Sequence, residues 1–406
     1  MEYEIIRRKE TGYSVSVAAS KVTSFRKNFN ETTTVRAYEN GCIGIAGAVG
    51  RADLSALKKE AAESLKTGIA YPCNLSGGVR HDPAPKEILP ESGIVPAFRA
   101  LLEELSQKAD GYLFGNKINL SYETVSYENT AGASYTSHDA SLEYALTIKD
   151  KKSANIMDMV YGKRAFSYNK DAVVSEVLEM IAAYENPVPM PAEKLPVVTD
   201  AGAVAPLLSH FVAEMYGSGA SLLSGKMGQK VFGDRVSVLI DRNPPYTGRF
   251  FDAEGVVNPE GKFYLVKEGV FCGALATKRS ARRFSLPLSG SAGSRYDGVP
   301  GVTFTGLRFE NTAEGYAAAG DAIFVVYASG GDMTATGDLG IPVQMAFLMR
   351  DGKFVGRLPE LMLSGNVFDV LGRDFVDVIA LADGDQRLLA PLGGHKGENG
   401  PPKKQI

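Results

Sequence analysis

At 406 residues the chain is longer than one compact core ordinarily needs, so two or more structural units with ample apolar surface are expected. Apolar residues make up 44% and charged residues 22%, and a net charge of -3 offers no general cationic field for a phosphate backbone, which argues against nucleic acid as a direct partner. The opening MEYEIIRRKE mixes charges of both signs and lacks the apolar core of a secretory signal, and no apolar run reaches the roughly eighteen residues that span a bilayer. A cytoplasmic location with no membrane partner is therefore expected.

Taken from the start, YSVSVAA (13–19) and TTTVRAY (32–38) alternate with period two and read as antiparallel strands, with NFNE at the first turn and ENG at the second. LSALKKEAAESLKTG (54–68) places Leu54, Leu57, Ala61 and Leu65 on one helical face, with Gly68 as a stop. A Pro- and Gly-rich stretch around 81–93 leads to a helix over 95–109. The order then recurs: 119–130, 133–140 and 141–150 alternate like strands, and 171–186 reads as an amphipathic helix, which suggests a duplication. Four prolines in NPVPMPAEKLP (186–196) mark the domain boundary.

Beyond the boundary, 204–241 is the one strongly helical segment, and short β-like runs dominate the rest, at 235–241, 261–275, 321–329 and 343–356. The expectation is an α+β fold. An N-terminal α/β domain over 1–190 has possible sub-units 1–80 and 95–190, a β-rich C-terminal domain covers 197–390, and residues 391–406 form a disordered tail.

Little conventional chemistry is available. Cys42, Cys73 and Cys272 have neither disulfide-framework nor zinc-type spacing, and His81, His138, His210 and His395 are the only histidines. GSGASLLSGKM fails as a phosphate loop, because Gly219 and Gly225 enclose five residues and Met227 stands where a Ser or Thr would bind magnesium. No G-x-S-x-G elbow occurs. The basic residues Lys278, Arg279, Arg282 and Arg283 fall on one face of a short helix and read chiefly as a solvated face, with contact to a peptide or partner as the functional alternative.

A helix leads through a Gly/Ser-rich turn to Gly228, Gln229, Val231 and Asp234, then a strand ends at Asp241. FDAEGV (251–256) follows as a D-x-E-G turn, and KEGVFCGALATKRSARRF (267–284) as a hairpin and helix. GGDMTATGDLGIPVQMAFLMRDGK (330–353) precedes the last strands, and LSGN (363–366) is the closing motif. In this order the five motifs resemble those of the TldD/PmbA family.

The resemblance implies a dimer enclosing a chamber in which unfolded peptides are cleaved. Active members carry H-E-x-x-x-H plus a distant cysteine, which together hold zinc. In this register Ser209 and Glu214 replace the two histidines, His210 replaces the glutamate base, and Val343 the cysteine. The chain therefore resembles the PmbA/TldE branch, with no catalytic residue and no metal or other cofactor of its own, and with zinc expected in a TldD-type partner. The implied role is that of a non-catalytic subunit acting on extended peptides. The alternatives are a self-sufficient metallopeptidase built on His210 and Glu214, and a homodimeric peptide-binding scaffold. His210, Glu214, Arg279, Arg282 and Arg283 are the candidate substrate or partner contacts.

Overall fold

The computed structural model describes residues 1–199, 205–244, 249–310, 320–328, 330–372 and 375, and the backbone of three further strands at 377–380, 386–390 and 393–396. Alternating β-branched and aromatic residues build a long hairpin of β1 (Glu2–Ala18) and β2 (Lys21–Glu39), followed by β3 (Cys42–Val49) and α1 (Leu54–Ser64). The first turn lies at Ala19–Ser20, with φ of 45° and 64°, and not at NFNE, which runs through β2. Two-residue hairpin turns with positive φ ordinarily recruit Gly, Asn or Asp, so an Ala-Ser turn has no sequence signature and NFNE imitates one. Asn40 and Gly41 form the second turn, where ENG places it.

β4 (Gly78–His81) and α2 (Glu91–Lys108) come next. The hairpin-strand-helix order then recurs as β5 (Tyr112–Asn129), β6 (Ala133–Asp150), β7 (Met159–Ala165) and α3 (Lys170–Glu185). Segments 133–140 and 141–150 are a single strand. The buried side of β6 changes phase near His138 and Asp139, which is why its sequence reads as two. Its first half turns Tyr135 toward Phe250 and Phe251, and its second half turns Leu142, Tyr144 and Leu146 toward the helices.

β1 pairs with β5 from Glu4–Asn129 to Val17–Asn116, so both groups share one seven-stranded sheet ordered β3-β2-β1-β5-β6-β4, with β7 on β6. Phe98, Leu105, Val177 and Ile181 of α2 and α3 cover one face together with Val15 and Phe114. On the same face, Leu57 and Ala61 of α1 cover Val35 and Ala37.

The C-terminal half opens with β8 (Val197–Thr199), the short helices α4 (Ala205–Leu208) and α5 (Ala213–Gly217), and β9 (Val238–Asp241). β10 (Lys262–Lys267), β11 (Val270–Phe271), α6 (Lys278–Phe284), β12 (Ala292–Gly293), β13 (Gly301–Val302) and β14 (Leu307–Phe309) follow. Then come β15 (Asp321–Ala328), β16 (Asp332–Met333), β17 (Asp338–Arg350), β18 (Lys353–Arg357), β19 (Leu361–Asn366) and α7 (Val367–Val370). The chain continues through β20 (Asp377–Ala380), β21 (Gln386–Ala390) and β22 (Gly393–Lys396). One sheet has the order β11-β10-β9-β14, and a larger one β20-β21-β8-β15-β17-β19-β22, with β16 and β18 on β17.

Segment 204–241 is therefore not one long helix. Val212 is extended (φ -70°, ψ 131°) and bridges to Leu275, while Gly219, Gly225 and Gly228 all take positive φ and turn the chain. Within the expected tail, β22 pairs with β19, and 397–406 lies outside the described residues.

Gly44 of β3 lies under α1, where an added Cβ would sit 2.0 Å from the Ala61 carbonyl oxygen and 2.7 Å from the Leu65 nitrogen. Gly44→Ala is expected to cost about 3 kcal/mol through this overpacking, read as a lowered urea midpoint. An unchanged midpoint would show that α1 shifts freely on the sheet.

Candidate functional site

The positions singled out by the zinc-motif register are engaged within the chain in other ways. Ser209 is exposed and donates its hydroxyl to the Pro206 carbonyl at 3.0 Å. His210 is half-buried, and its Nδ1 accepts the Leu222 N–H at 3.0 Å, which leaves the ring proton on Nε2. Burial pushes the imidazole's pKa down, favouring this neutral form. Glu214 is exposed in the first turn of α5, beyond the break at Val212, so it does not share one continuous helical face with His210. Val343 lies in β17, packed with Val197, Ile341 and Leu361, whereas Phe211 beside the first motif positions packs with Leu207, Phe271 and Leu275.

Among the described residues no three His, Cys, Asp or Glu side chains converge on a possible metal position. A hydroxyl, an exposed carboxylate on a separate segment and a buried isopropyl group do not match the donor set that zinc requires.

The basic residues on α6 divide in a way that the single-face reading misses. Arg279, Arg282 and Arg283 are exposed, and Arg279 lies 5.9 Å from the Tyr71 ring centroid. Lys278 is buried, because the helix turns its first residue inward toward the sheet.

There Lys278 joins a buried polar junction between the two halves of the chain. At its centre the Glu4 carboxylate has two cations and two phenols around it. Arg36 donates from Nη1 and Lys278 from Nζ, both at 3.2 Å, while the Tyr38 and Tyr127 hydroxyls donate at 2.8 and 2.9 Å. Burial raises the pKa of this carboxyl, but Lys278 and Arg36 outweigh it and hold it below 4.5. Arg36 continues across the junction to the Ala253 carbonyl at 2.5 Å and the Ser294 hydroxyl at 2.7 Å.

The FDAEGV turn supplies the opposite wall. Asp252 is buried and accepts the N–H groups of Glu254 at 2.8 Å, Val256 at 3.0 Å and Ala292 at 2.9 Å. Glu254 accepts the Tyr71 hydroxyl at 2.5 Å and the Lys278 N–H, at the start of α6, at 2.8 Å. Burial, reinforced by the Asp252 charge, pushes Glu254 up to about 7. Gly255 takes a positive φ of 70°, and a Cβ there would fall 2.3 Å from the Tyr127 ring, so the glycine of this motif is a packing requirement.

Of these residues, the motif signalled Asp252, Glu254 and Gly255 without their role. Nothing in the sequence joined Glu4 or Arg36 to Lys278.

A separate cleft of about 730 Å³ opens beside the proline-rich connector, with Met157, Met190, Met345 and Tyr327 among its lining residues. Its size suits a ligand, and flexible thioethers accommodate varied apolar shapes.

Fold and junction together define a two-part α+β protein, in which a helix-backed sheet is bolted by buried charges to a β-rich domain. That domain, residues 192–380, matches the family described as PmbA/TldA metallopeptidase C-terminal domain. The chain thus carries the C-terminal domain of the PmbA/TldD metallopeptidase family.

An uncharacterized protein of Methanocaldococcus jannaschii is 26% identical over 196 residues, 47% of this chain and 46% of its own length. A metalloprotease of Archaeoglobus fulgidus is 27% identical over 216 residues, 50% of this chain and 49% of its own length. The matches thus span about half the length of these relatives. In overall fold the chain is similar to TldE from Thermococcus kodakarensis, with a TM-score of 0.79 at 17% identity over 98% of this chain and 97% of that one. A Thermotoga maritima protein described as a candidate modulator of a DNA gyrase gives 0.75 at 16% identity, over 96% and 95%.

The junction predicts a pH dependence. Because folding raises the pKa of Glu254 above its ordinary 4.5, the native state holds that proton more tightly than the unfolded chain, so stability falls as pH rises from 4.5 toward about 7. Glu4 acts in the opposite sense, and its contribution is lost only as pH falls below 4.5. The melting temperature is expected to decline between about pH 4.5 and about pH 7, and Glu254→Gln to flatten that decline. An unaltered slope in the variant would assign the dependence to other groups.

Proposed function

We propose that this chain is the non-catalytic, TldE-like subunit of a TldD/TldE-type metallopeptidase complex, acting in the cytoplasm on unfolded peptides. The observation that carries this reading is the chemistry at the family's ligand positions. Ser209 is engaged with its own backbone, His210 accepts from Leu222, and Val343 is packed among aliphatic side chains. Glu214 remains as a lone carboxylate past a helix break.

The TldE-like fold supports pairing with a TldD-type subunit. In such a pair a zinc ion held by the partner would supply the chemistry of water activation. This chain contributes confinement and orientation of the peptide, for which the methionine-lined cleft offers an adaptable apolar surface.

The decisive measurement is hydrolysis of an unfolded protein by the chain alone, by a TldD-type subunit alone and by the mixture, together with the zinc content of each. The mixture is expected to exceed the TldD-type subunit at least tenfold, and the chain alone to be inactive and without stoichiometric zinc. Chelator-sensitive cleavage by the chain alone, with about one zinc per chain, would establish a self-sufficient enzyme instead. Unchanged activity on mixing, with peptide binding by the chain alone, would establish the scaffold.

A further inference from the structure

The seven-stranded sheet has an edge that the described residues of the chain leave open. β3 pairs with β2 only over residues 32–39, and among the described residues none of 23–30 has a ladder partner on the outer side, while 24–30 pair with β1 on the other. All eight are exposed. The backbone direction can be read from the ladder: the Glu31 carbonyl accepts the Gly50 N–H on the β3 side. Backbone groups alternate in direction along a strand, so Phe29, Lys27 and Phe25 aim theirs outward in the same sense, beyond the end of β3. The free segment spans about 26 Å at roughly 3.3 Å per residue.

Its side chains select what can pair there. On the helix-covered face Phe25 stacks on Tyr13 with centroids 5.9 Å apart, and Phe29 is 63% exposed. Between them Lys27 bonds to Glu91 of α2 at 2.5 Å. On the other face stands Arg26, which has no ion pair among the described residues, and Lys21 at the start of the strand is likewise unpaired. Within 21–31 there are three cations and one carboxylate, Glu31, which is already paired with Lys9.

Antiparallel pairing of two copies about the middle of this segment would set either Arg26 or Lys27 directly against its own duplicate, a like-charge arrangement that disfavours a second copy. An acidic strand meets the opposite situation.

We infer that the β2 edge binds an extended acidic peptide as an added strand, with apolar side chains beside Phe25 and Phe29 and a carboxylate opposite Arg26. Main-chain pairing supplies the affinity and the alternate side chains the preference. This binding requires neither a TldD-type partner nor a metal, so it stands or falls apart from the function proposed above.

The full chain contains no tryptophan, so a peptide's tryptophan reports binding by fluorescence anisotropy without interference. The probes are a peptide of about eight alternating valines and glutamates ending in tryptophan, and its counterpart with lysine for glutamate. The acidic probe is expected to bind at least tenfold more tightly, and more weakly as salt rises. Phe29→Pro, which removes an outward N–H, should lose this binding at least tenfold. Arg26→Glu changes only an exposed side chain and should reverse the preference to the lysine probe; it decides the matter if the proline variant does not fold. Equal binding of the two probes, no binding of either, or an unchanged preference in Arg26→Glu would overturn the inference. So would a dimer in sedimentation that Phe29→Pro dissolves, which would give the edge to a second copy.

Discussion

The relative placement of the two halves depends on one carboxylate. Glu4 sits on β1, in the interior of the seven-stranded sheet, and is wholly inaccessible to solvent. Removing such an ion from water costs several kcal/mol, and the cost is offset only if charge and hydrogen-bond partners surround it. Arg36, Tyr38 and Tyr127 come from the same sheet, but Lys278 comes from the other half of the chain. The two phenols remain protonated donors, since burial and the neighbouring carboxylate push both pKa values up. Four directional donors converging on one group define a docking geometry. The apolar contacts beside them, such as Tyr135 with Phe250 and Phe251, would tolerate sliding.

This division of labour has a consequence for the region where the family's metal ligands would be sought. The junction secures the FDAEGV turn and α6, so the adjoining segment from 205 to 241 can be built largely from turns. Restoring imidazoles at 209 and 214 alone would leave them on two short helical segments joined by an extended Val212. Coordination geometry depends on backbone as much as on residue identity, and here both depart from an H-E-x-x-x-H helix. Gly217 deepens the departure, because a Cβ there would meet the Phe284 ring at 2.2 Å and so ties this segment closely to α6.

Much of the architecture was legible where local chemistry agrees with the fold. The helix at Leu54, the turn at Asn40–Gly41 and the strands Val238–Asp241 and Asp321–Ala328 follow from periodicity and turn residues alone. The misreadings share a cause, in that tertiary contacts overrode a local signal. Ala19–Ser20 turns without the usual residues, β6 switches its buried side in mid-strand, and Lys278 is turned inward by a carboxylate remote in sequence. Segment 204–241 has helix-forming composition, but its helices end at an extended valine and at glycines with positive φ. At the candidate site the motif order located Asp252 and Glu254, while their buried partners came from strands whose sequence carries only alternation.

The pairing of Glu4 with Lys278 also orders events in time. A hairpin between neighbouring strands closes early and locally, whereas a contact across 274 positions carries a large loop-closure cost and comes late. During synthesis the first sheet can therefore form with Glu4 and Arg36 still hydrated, an intermediate whose future interface is wet and charged and thus resistant to sticking to other chains. Drying that surface is left to the arrival of the FDAEGV turn and α6, which makes docking of the halves, not formation of the sheet, the committing step in maturation.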